Sequence, residues 1–149
     1  MGKRVIVVGG GIAGMQTALK LSAGGVSALL LERDADLGGK LTGWHKLFPS
    51  FTPAHEVLDE LRRRLAASDV EVRTRCEVAE VARDGVMLST GERLEADAVV
   101  VATGFTLFDA RIKEEYGYGI YDNVYTTVDI ERMLNEGRVA LKDGTAPRR

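Results

Sequence analysis

A glycine-rich turn between a short apolar run and a helical pattern constrains the fold of this chain more than any other feature. Gly9, Gly11 and Gly14 follow the β-branched run Arg4–Val8 in the order G-x-G-x-x-G, and the apolar residues after them recur at helical spacing. In such a unit the first glycine permits a tight turn, the second lets a pyrophosphate approach the backbone, and the third lets helix and strand pack closely. The turn therefore predicts a dinucleotide-binding βαβ unit.

An acidic residue after the second apolar run completes a predicted site for ADP. Glu32 ends that run, and its carboxylate can accept hydrogen bonds from both ribose hydroxyls. A 2′-phosphate would meet like charge there, which disfavours NADP. Ile12 and Ala13 open the predicted helix, whose free N–H groups and dipole attract phosphate. Arg33 joins the candidate residues because it adjoins Glu32, with a surface charge as the alternative.

ADP is common to NAD and FAD, so other residues must distinguish the two cofactors. Gly38 and Gly39, followed by Lys40, resemble the second glycine motif of two-dinucleotide flavoproteins, in which this loop leads toward the flavin. An ordinary Gly-Gly loop is the alternative. The second motif therefore favours FAD.

A further apolar strand contributes its carboxyl end to the predicted site. Ala102, Thr103 and Gly104 end this strand, which is expected to be buried on both faces. Ligands of open α/β sheets bind outside the carboxyl ends of the strands. Val78 stands where such flavoproteins contact adenine through main-chain atoms, with a core valine as the alternative.

The remaining pattern predicts an α/β fold with a small antiparallel meander. A helix is expected to begin with Thr52 as its cap and Pro53 as its first residue, and to bury a stripe formed by Leu58, Leu61 and Leu65. Period-two alternation over 76–94, interrupted by two glycine turns, predicts the meander. Further expectations are a third parallel strand at Val70 and Val72, a helix over 109–116, and a helix capped by Thr126 or Thr127.

Composition argues against several other classes of protein. Apolar residues make up 45% of the chain and charged residues 28%, and the formal charge of −2 disfavours a nucleic-acid surface. No apolar run approaches the roughly 20 residues that span a bilayer. Cys76 is the single cysteine, and His45 and His55 lack zinc-like spacing, so we expect no metal centre and a cytoplasmic location. The basic run at 62–64 is interpreted as a solvated helix face.

Sequence blocks outside the first glycine motif carry a family resemblance. These blocks are Lys46-Leu47-Phe48-Pro49, Ala102-Thr103-Gly104-Phe105, Phe108-Asp109-Ala110-Arg111, Glu115-Tyr116-Gly117-Tyr118-Gly119 and Asn123-Val124. With them, the stretch from Gly9 to Gly144 resembles the FAD domain in the A subunit of heterodisulfide reductase and its relatives in sulfur metabolism. The blocks are more specific than glycine motifs, which many unrelated flavoproteins share.

This resemblance implies FAD and a lysine near the flavin. Lys46 matches that lysine, where a cation would stabilise negative charge on the reduced ring, with a solvated lysine as the alternative. In methanogen-type relatives, cysteines that ligate a cluster follow the Phe-Pro pair, whereas residues 51–54 contain none. Cluster-poor relatives in sulfur-oxidising and quinone-linked complexes therefore fit better. Family members continue beyond the position of Arg149, so we expect a truncated chain, a split subunit or a fragment.

The combined prediction is a Rossmann-like FAD-binding domain of the two-dinucleotide flavoprotein type over 1–104, with a partly helical extension over 105–149. The leading hypothesis is an electron-transfer subunit of a heterodisulfide reductase-like complex of sulfur metabolism. Its partners would be the other subunits of that complex or further copies of this chain. The alternatives are a non-catalytic FAD- or ADP-binding module and an NAD-dependent dehydrogenase. The residues predict no nucleophile or general acid.

Overall fold

The computed structural model describes residues 2–148. These residues form two compact units, one comprising residues 2–42 and 56–104 and the other residues 43–55 and 105–148. In chain order the elements are β1 (Arg4–Val8), α1 (Ile12–Ala23), β2 (Ser27–Leu31), β3 (Lys46–Leu47), β4 (Thr52–Pro53), α2 (Ala54–Ala66), β5 (Glu71–Arg73), β6 (Val78–Ala82), β7 (Gly85–Leu88), β8 (Arg93–Glu95), β9 (Ala98–Val101) and α3 (Thr127–Asn135). Short 3₁₀ turns lie at Gly39–Gly43, Ala110–Ile112 and Glu114–Tyr116.

The first unit is built on a four-stranded parallel sheet in the order β5-β2-β1-β9. The two central strands are continuous runs of apolar residues, which is the pattern of strands covered on both faces. Helix α1 packs against β1 and β2. The carboxyl ends of β1, β2 and β9 therefore lie side by side at one edge of the sheet.

A three-stranded antiparallel meander, β6-β7-β8, supplies part of the core beneath this sheet. Ile6 and Leu29 of the parallel sheet belong to one buried cluster with Val86, Leu88 and Leu94 of the meander. The predicted α/β fold with a parallel sheet and a small meander is confirmed. The predicted leucine stripe of α2 is also buried, at Leu58, Leu61 and Leu65.

The start of α2 differs from the prediction. Thr52 and Pro53 form strand β4, which pairs with β3, and the helix begins at Ala54. The backbone N–H of Ala54 donates to the carbonyl of His45 at 3.0 Å. Pairing in the hairpin therefore uses the backbone groups that a helix cap at Thr52 would have needed.

Strand β9 is not buried on both faces as expected. It pairs with β1 alone and forms an edge of the sheet. Val99 and Val100 are half-buried, and Val101 is 60% exposed. An apolar run predicts burial only when the strand is central, and this run lies at an edge.

The second unit contains the hairpin β3-β4, two 3₁₀ turns and α3. The helix expected over 109–116 is replaced by the two turns, which Lys113 separates, and Gly117 ends the second with φ of 72°. Thr126 caps α3 as predicted, through a reciprocal capping box with Asp129. Among residues 2–148, no helix is both long and apolar enough to cross a bilayer.

Truncation at the centre of the sheet tests the location of the core. Ile6 is fully buried, and we expect Ile6→Ala to lower the free energy of unfolding by about 2–5 kcal/mol, because it leaves a cavity that its neighbours cannot fill. Val81 is 48% exposed in β6, and Val81→Ala should change stability by only about 0.5 kcal/mol. Urea titration followed by circular dichroism measures both values, and equal losses would contradict this assignment of the core.

The capping box predicts how pH acts on α3. Burial alone would raise the pKa of Asp129, but hydrogen bonds from Thr126 and Tyr118, with the charge of Arg132, lower the pKa overall. Since the folded-state pKa lies below the unfolded value of about 3.9, the ionised side chain stabilises the fold above that value. This contribution is lost as pH falls through the folded-state pKa. Asp129→Asn should thus lower stability by about 1 kcal/mol at neutral pH.

The same variant supplies the internal control for this pH effect. The stability difference between wild type and Asp129→Asn should shrink as acid protonates Asp129, and urea midpoints measured between neutral pH and pH 2 follow it. A difference that stays constant over this range would show that the charge of Asp129 contributes nothing.

Candidate functional site

The glycine turn between β1 and α1 is held by approaches too close for any side chain. Gly9 has φ of 111°, and a Cβ there would meet the carbonyl of Ala102. A Cβ at Gly14 would collide with the carbonyl of Gly9. Both glycines are thus required by the packing of α1 and β9 against the turn.

Gly11 has a different role from its neighbours in the motif. Its backbone is extended with φ of −73°, no side chain caps the helix there, and a Cβ would project into open space. Ile12 and Ala13, the first residues of α1, are exposed. The helix N-terminus therefore offers its N–H groups to an incoming group, which is the arrangement that binds phosphate.

The carboxylate of Glu32 is buried and held by two backbone N–H groups. Gly10 donates to Oε2 at 2.5 Å and Asp34 donates to Oε1 at 2.9 Å. Each oxygen retains a further lone pair for a ligand hydroxyl. Sequence reasoning placed Glu32 at the site but missed its bond to Gly10. The uninterrupted run of three glycines was the available signal, because a Cβ at Gly10 would lie 2.8 Å from Oε2.

The second glycine motif lies directly against the first. The N–H of Gly38 donates to the carbonyl of Gly10 at 2.8 Å, and Gly11 and Gly38 form a parallel bridge. A Cβ at Gly39 would lie 3.3 Å from the Cα of Gly11. Two motifs separated by the whole of α1 and β2 therefore meet backbone to backbone. Lys40 follows them in the 3₁₀ turn.

A cavity of about 150 Å³ lies beside this turn, at the carboxyl ends of β1, β2 and β9. Five of the predicted residues line it, namely Gly9, Glu32, Arg33, Val78 and Thr103. It is smaller than the roughly 300 Å³ of a typical ligand pocket, so it can enclose one end of a dinucleotide and not the whole. Cys76 also lines it and packs against the core cluster.

Ala102 and Gly104 follow the end of β9, whereas Lys46 lies in the second unit. Ala102 continues β9 by donating its N–H to the carbonyl of Val8 at 2.8 Å, and Gly104 has φ of 74° with open space where a Cβ would be. Arg33 is exposed, with Nε 3.9 Å from Asp34. Lys46 is an exposed residue of β3 in the second unit, and its place near a flavin stays a prediction.

Arg62 is a residue that sequence reasoning missed. The run at 62–64 was expected to be solvated, and Arg63 and Arg64 are exposed. Arg62 is half-buried, and its guanidinium donates to the carbonyl of Leu37, immediately before the second glycine motif. The contact depends on the position of α2 beside that loop. A run of basic residues in the sequence does not predict that position.

A larger cavity, of about 520 Å³, lies in the second unit, between the loop that follows the 3₁₀ turns and α3. Three of its cationic side chains are paired with carboxylates, since Arg111 pairs with Asp109, Arg132 with Asp129, and Lys142 with Asp122. We therefore assign the candidate site to the smaller cavity, where the sequence motifs converge. Among residues 2–148, no group of three or more acidic, histidine or cysteine side chains is placed to hold a metal ion.

Comparison with known sequences assigns the chain to a protein family. The sequence profile described as pyridine nucleotide-disulphide oxidoreductase matches residues 3–131, which is most of the chain. The chain belongs to this family.

Within this oxidoreductase family, the curated relatives include components of heterodisulfide reductases. The chain is 45% identical over 62 residues to the A subunit of the H₂/formate:CoB-CoM heterodisulfide,ferredoxin reductase of Methanococcus maripaludis, covering 38% of this chain and 9% of that protein. It is 51% identical over 63 residues to an iron-sulfur A subunit of the CoB–CoM heterodisulfide reductase of Methanopyrus kandleri, with the same coverage of both. The chain thus matches about a tenth of the length of these relatives.

Solved structures share the fold. The thioredoxin reductase of Lactococcus lactis superposes with a TM-score of 0.62 at 22% identity, over 78% of this chain and 41% of that one. A 2-naphthoyl-CoA reductase bound to 2-naphthoyl-CoA gives a TM-score of 0.52 at 26% identity, over 76% of this chain and 16% of that one. The predicted fold is confirmed, and the predicted resemblance to the A subunit of heterodisulfide reductase is confirmed over the 38% of the chain that these relatives match.

The family implies a flavin cofactor, and the residues of the candidate site fit a flavin nucleotide. Substituents at Gly11 and Gly104 would occupy open space, so the backbone is accessible to a ligand at both positions. The uncapped start of α1 matches the charge of a pyrophosphate. Glu32 presents spare acceptor capacity beside the cavity.

Two alanine substitutions in the same motif should differ in their effect on the free energy of unfolding. Alanine is normally favoured over glycine inside a helix by about 1 kcal/mol, but Gly14→Ala would place its Cβ on the carbonyl of Gly9 and should destabilise the protein by at least about 2 kcal/mol. Gly11→Ala has open space and ordinary φ, and its free energy of unfolding should fall by no more than about 1 kcal/mol, the cost of a poorer N-cap residue. Urea titration compares the two, and a tolerated Gly14→Ala would contradict the close approach.

Proposed function

We propose that this chain binds FAD and contributes to an electron-transfer flavoprotein that resembles the A subunit of heterodisulfide reductase. One observation carries the proposal: the two glycine motifs meet at an uncapped helix N-terminus beside a buried carboxylate. A loop that leads onward from the pyrophosphate suits a ligand that continues beyond ADP. Bound FAD would accept electrons as a pair and pass them to another carrier.

Each element of the candidate site has a role in this proposal. Gly9, Gly14, Gly38 and Gly39 shape the backbone, while Gly11, Ile12 and Ala13 receive the pyrophosphate. Glu32 accepts the ribose hydroxyls, and Val78 with Arg33 borders the adenine end. Ala102, Thr103 and Gly104 border the nucleotide at the end of β9, and Lys40 follows the loop that leads toward the flavin. For Lys46, stabilisation of charge on the reduced flavin is proposed from the family resemblance alone.

The partners, the metabolic role and the location of the protein are proposed from its relatives, together with the function above. The matched relatives belong by name to heterodisulfide reductases, so we propose that other subunits of such a complex, or further copies of this chain, are its partners. Sulfur metabolism and a cytoplasmic location are part of this proposal, as is a boundary near residue 104 between the FAD-binding part and its extension. The absence of cysteines in residues 51–54 supports a cluster-poor relative.

A non-catalytic nucleotide-binding module is the second candidate. The 150 Å³ cavity is bordered by residues assigned to the adenosine end, which favours a chain that holds ADP without enclosing a flavin ring. The two candidates differ in what a bound flavin does. A flavin that a reductant reduces and a carrier then reoxidises supports electron transfer, whereas one that no carrier reoxidises supports the module.

Titration of the purified protein with FAD tests the proposed site. We expect binding of one FAD per chain, read from quenching of flavin fluorescence, and weaker binding of NAD. Gly11→Ala should lower FAD affinity by about tenfold or more, because its methyl group occupies the space into which the pyrophosphate would approach, while the protein stays folded.

Gly24→Ala is the matched control for this titration, since Gly24 lies at the other end of α1 with φ of −87° and should leave affinity unchanged. A wild-type protein that takes up no FAD on reconstitution would refute the proposal. Tighter binding of NAD than of FAD would favour a dehydrogenase instead.

A further inference from the structure

Helix α2 contacts the second glycine motif through two side chains one helical turn apart. A Cβ at Gly38 would lie 3.0 Å from the methyl groups of Leu58, so Leu58 covers that glycine. Arg62, four residues later, donates through Nη2 to the carbonyl of Leu37. The helix therefore holds this loop by one apolar contact and one hydrogen bond from a charged group.

The loop needs such an anchor because its own backbone is weakly constrained. Gly38 and Gly39 have φ of 134° and 53°, and two consecutive glycines have access to many other conformations. A hydrogen bond from a guanidinium is stronger than one between neutral groups. Arg62 also pairs with Asp59 at an N–O separation of 3.9 Å, so the carbonyl of Leu37 is the closer contact of its guanidinium.

The loop contacts the first glycine turn directly, so the position of the turn depends on that of the loop. The N–H of Gly38 bonds to the carbonyl of Gly10, and a Cβ at Gly10 would lie 2.5 Å from a methyl carbon of Leu37. The N–H of the same glycine, Gly10, donates a hydrogen bond to the carboxylate of Glu32. Gly10 is thus fixed through its N–H by Glu32 and through its carbonyl by the loop that Arg62 anchors.

We propose that Arg62 is a positioning residue for the dinucleotide site. It holds the loop at Leu37–Gly39 against the first glycine turn and thereby sets the affinity for the cofactor, without contacting the cofactor itself. This inference rests on the proposed function, because it concerns the same site.

The test compares Arg62→Leu and Arg62→Lys with Arg63→Leu. Arg63 is the adjacent residue, is 70% exposed in its side chain and pairs with Glu60, so its replacement removes the same charge from the same helix without touching the loop. The first measurement is amide hydrogen exchange of the protein without FAD, read for the segment 37–41. The second is the dissociation constant for FAD by fluorescence titration.

We expect Arg62→Leu to speed exchange in the segment 37–41 and to weaken FAD binding at least about tenfold, the effect of losing one charged hydrogen bond. Arg62→Lys retains a donor and should restore part of both properties. Arg63→Leu should match wild type in both measurements.

Three outcomes would overturn the inference: exchange and affinity of Arg62→Leu equal to those of Arg63→Leu, faster exchange spread evenly over the whole protein, or no rescue by lysine. If wild type takes up no FAD, the proposed function fails by itself. The exchange of the segment 37–41 in the variants then still decides whether Arg62 holds the loop.

Discussion

The hydrogen bond between the carboxylate of Glu32 and the N–H of Gly10 connects the parts of the candidate site. It joins the end of β2 to the turn after β1. The carbonyl of Gly10 also accepts a hydrogen bond from the N–H of Gly38, in the second glycine motif. Breaking it would leave a buried charge without one of its donors, which is costly in a poorly solvated position. Charge, turn and loop are therefore fixed together, and the position of each depends on the other two.

The central part of the fold could be predicted because its sequence signals are local. Hydrophobic periodicity and glycine turn signals each specify one element. They are present in the apolar runs of β1 and β2, in the glycine turn after β1 and in the leucine stripe of α2. The signals failed where an element depends on its neighbours in space. Residues 98–101 have the composition of a buried strand but form a sheet edge, and Thr52 has the chemistry of a cap but pairs within a hairpin.

The candidate site shows the same division. Gly9 and Gly14 form the turn between β1 and α1, and Glu32 follows β2, as the motif predicts. The motif could predict this because its glycines specify a backbone geometry. Arg62 could not be recognised from its sequence context, since three consecutive arginines on one helix differ only in the direction in which each points. The direction follows from the buried leucines of α2, which turn Arg62 toward Leu37 and leave Arg63 and Arg64 in solvent.

The glycines of the turn differ in how evolution can replace them. A side chain at Gly9 or Gly14 would collide with a backbone carbonyl, and no change at another position could remove that obstacle. At Gly10 the obstacles are the side chains of Leu37 and Glu32, which can themselves mutate. A side chain at position 10 would therefore fit only if the side chains at positions 32 and 37 changed with it, so the three positions are sterically coupled.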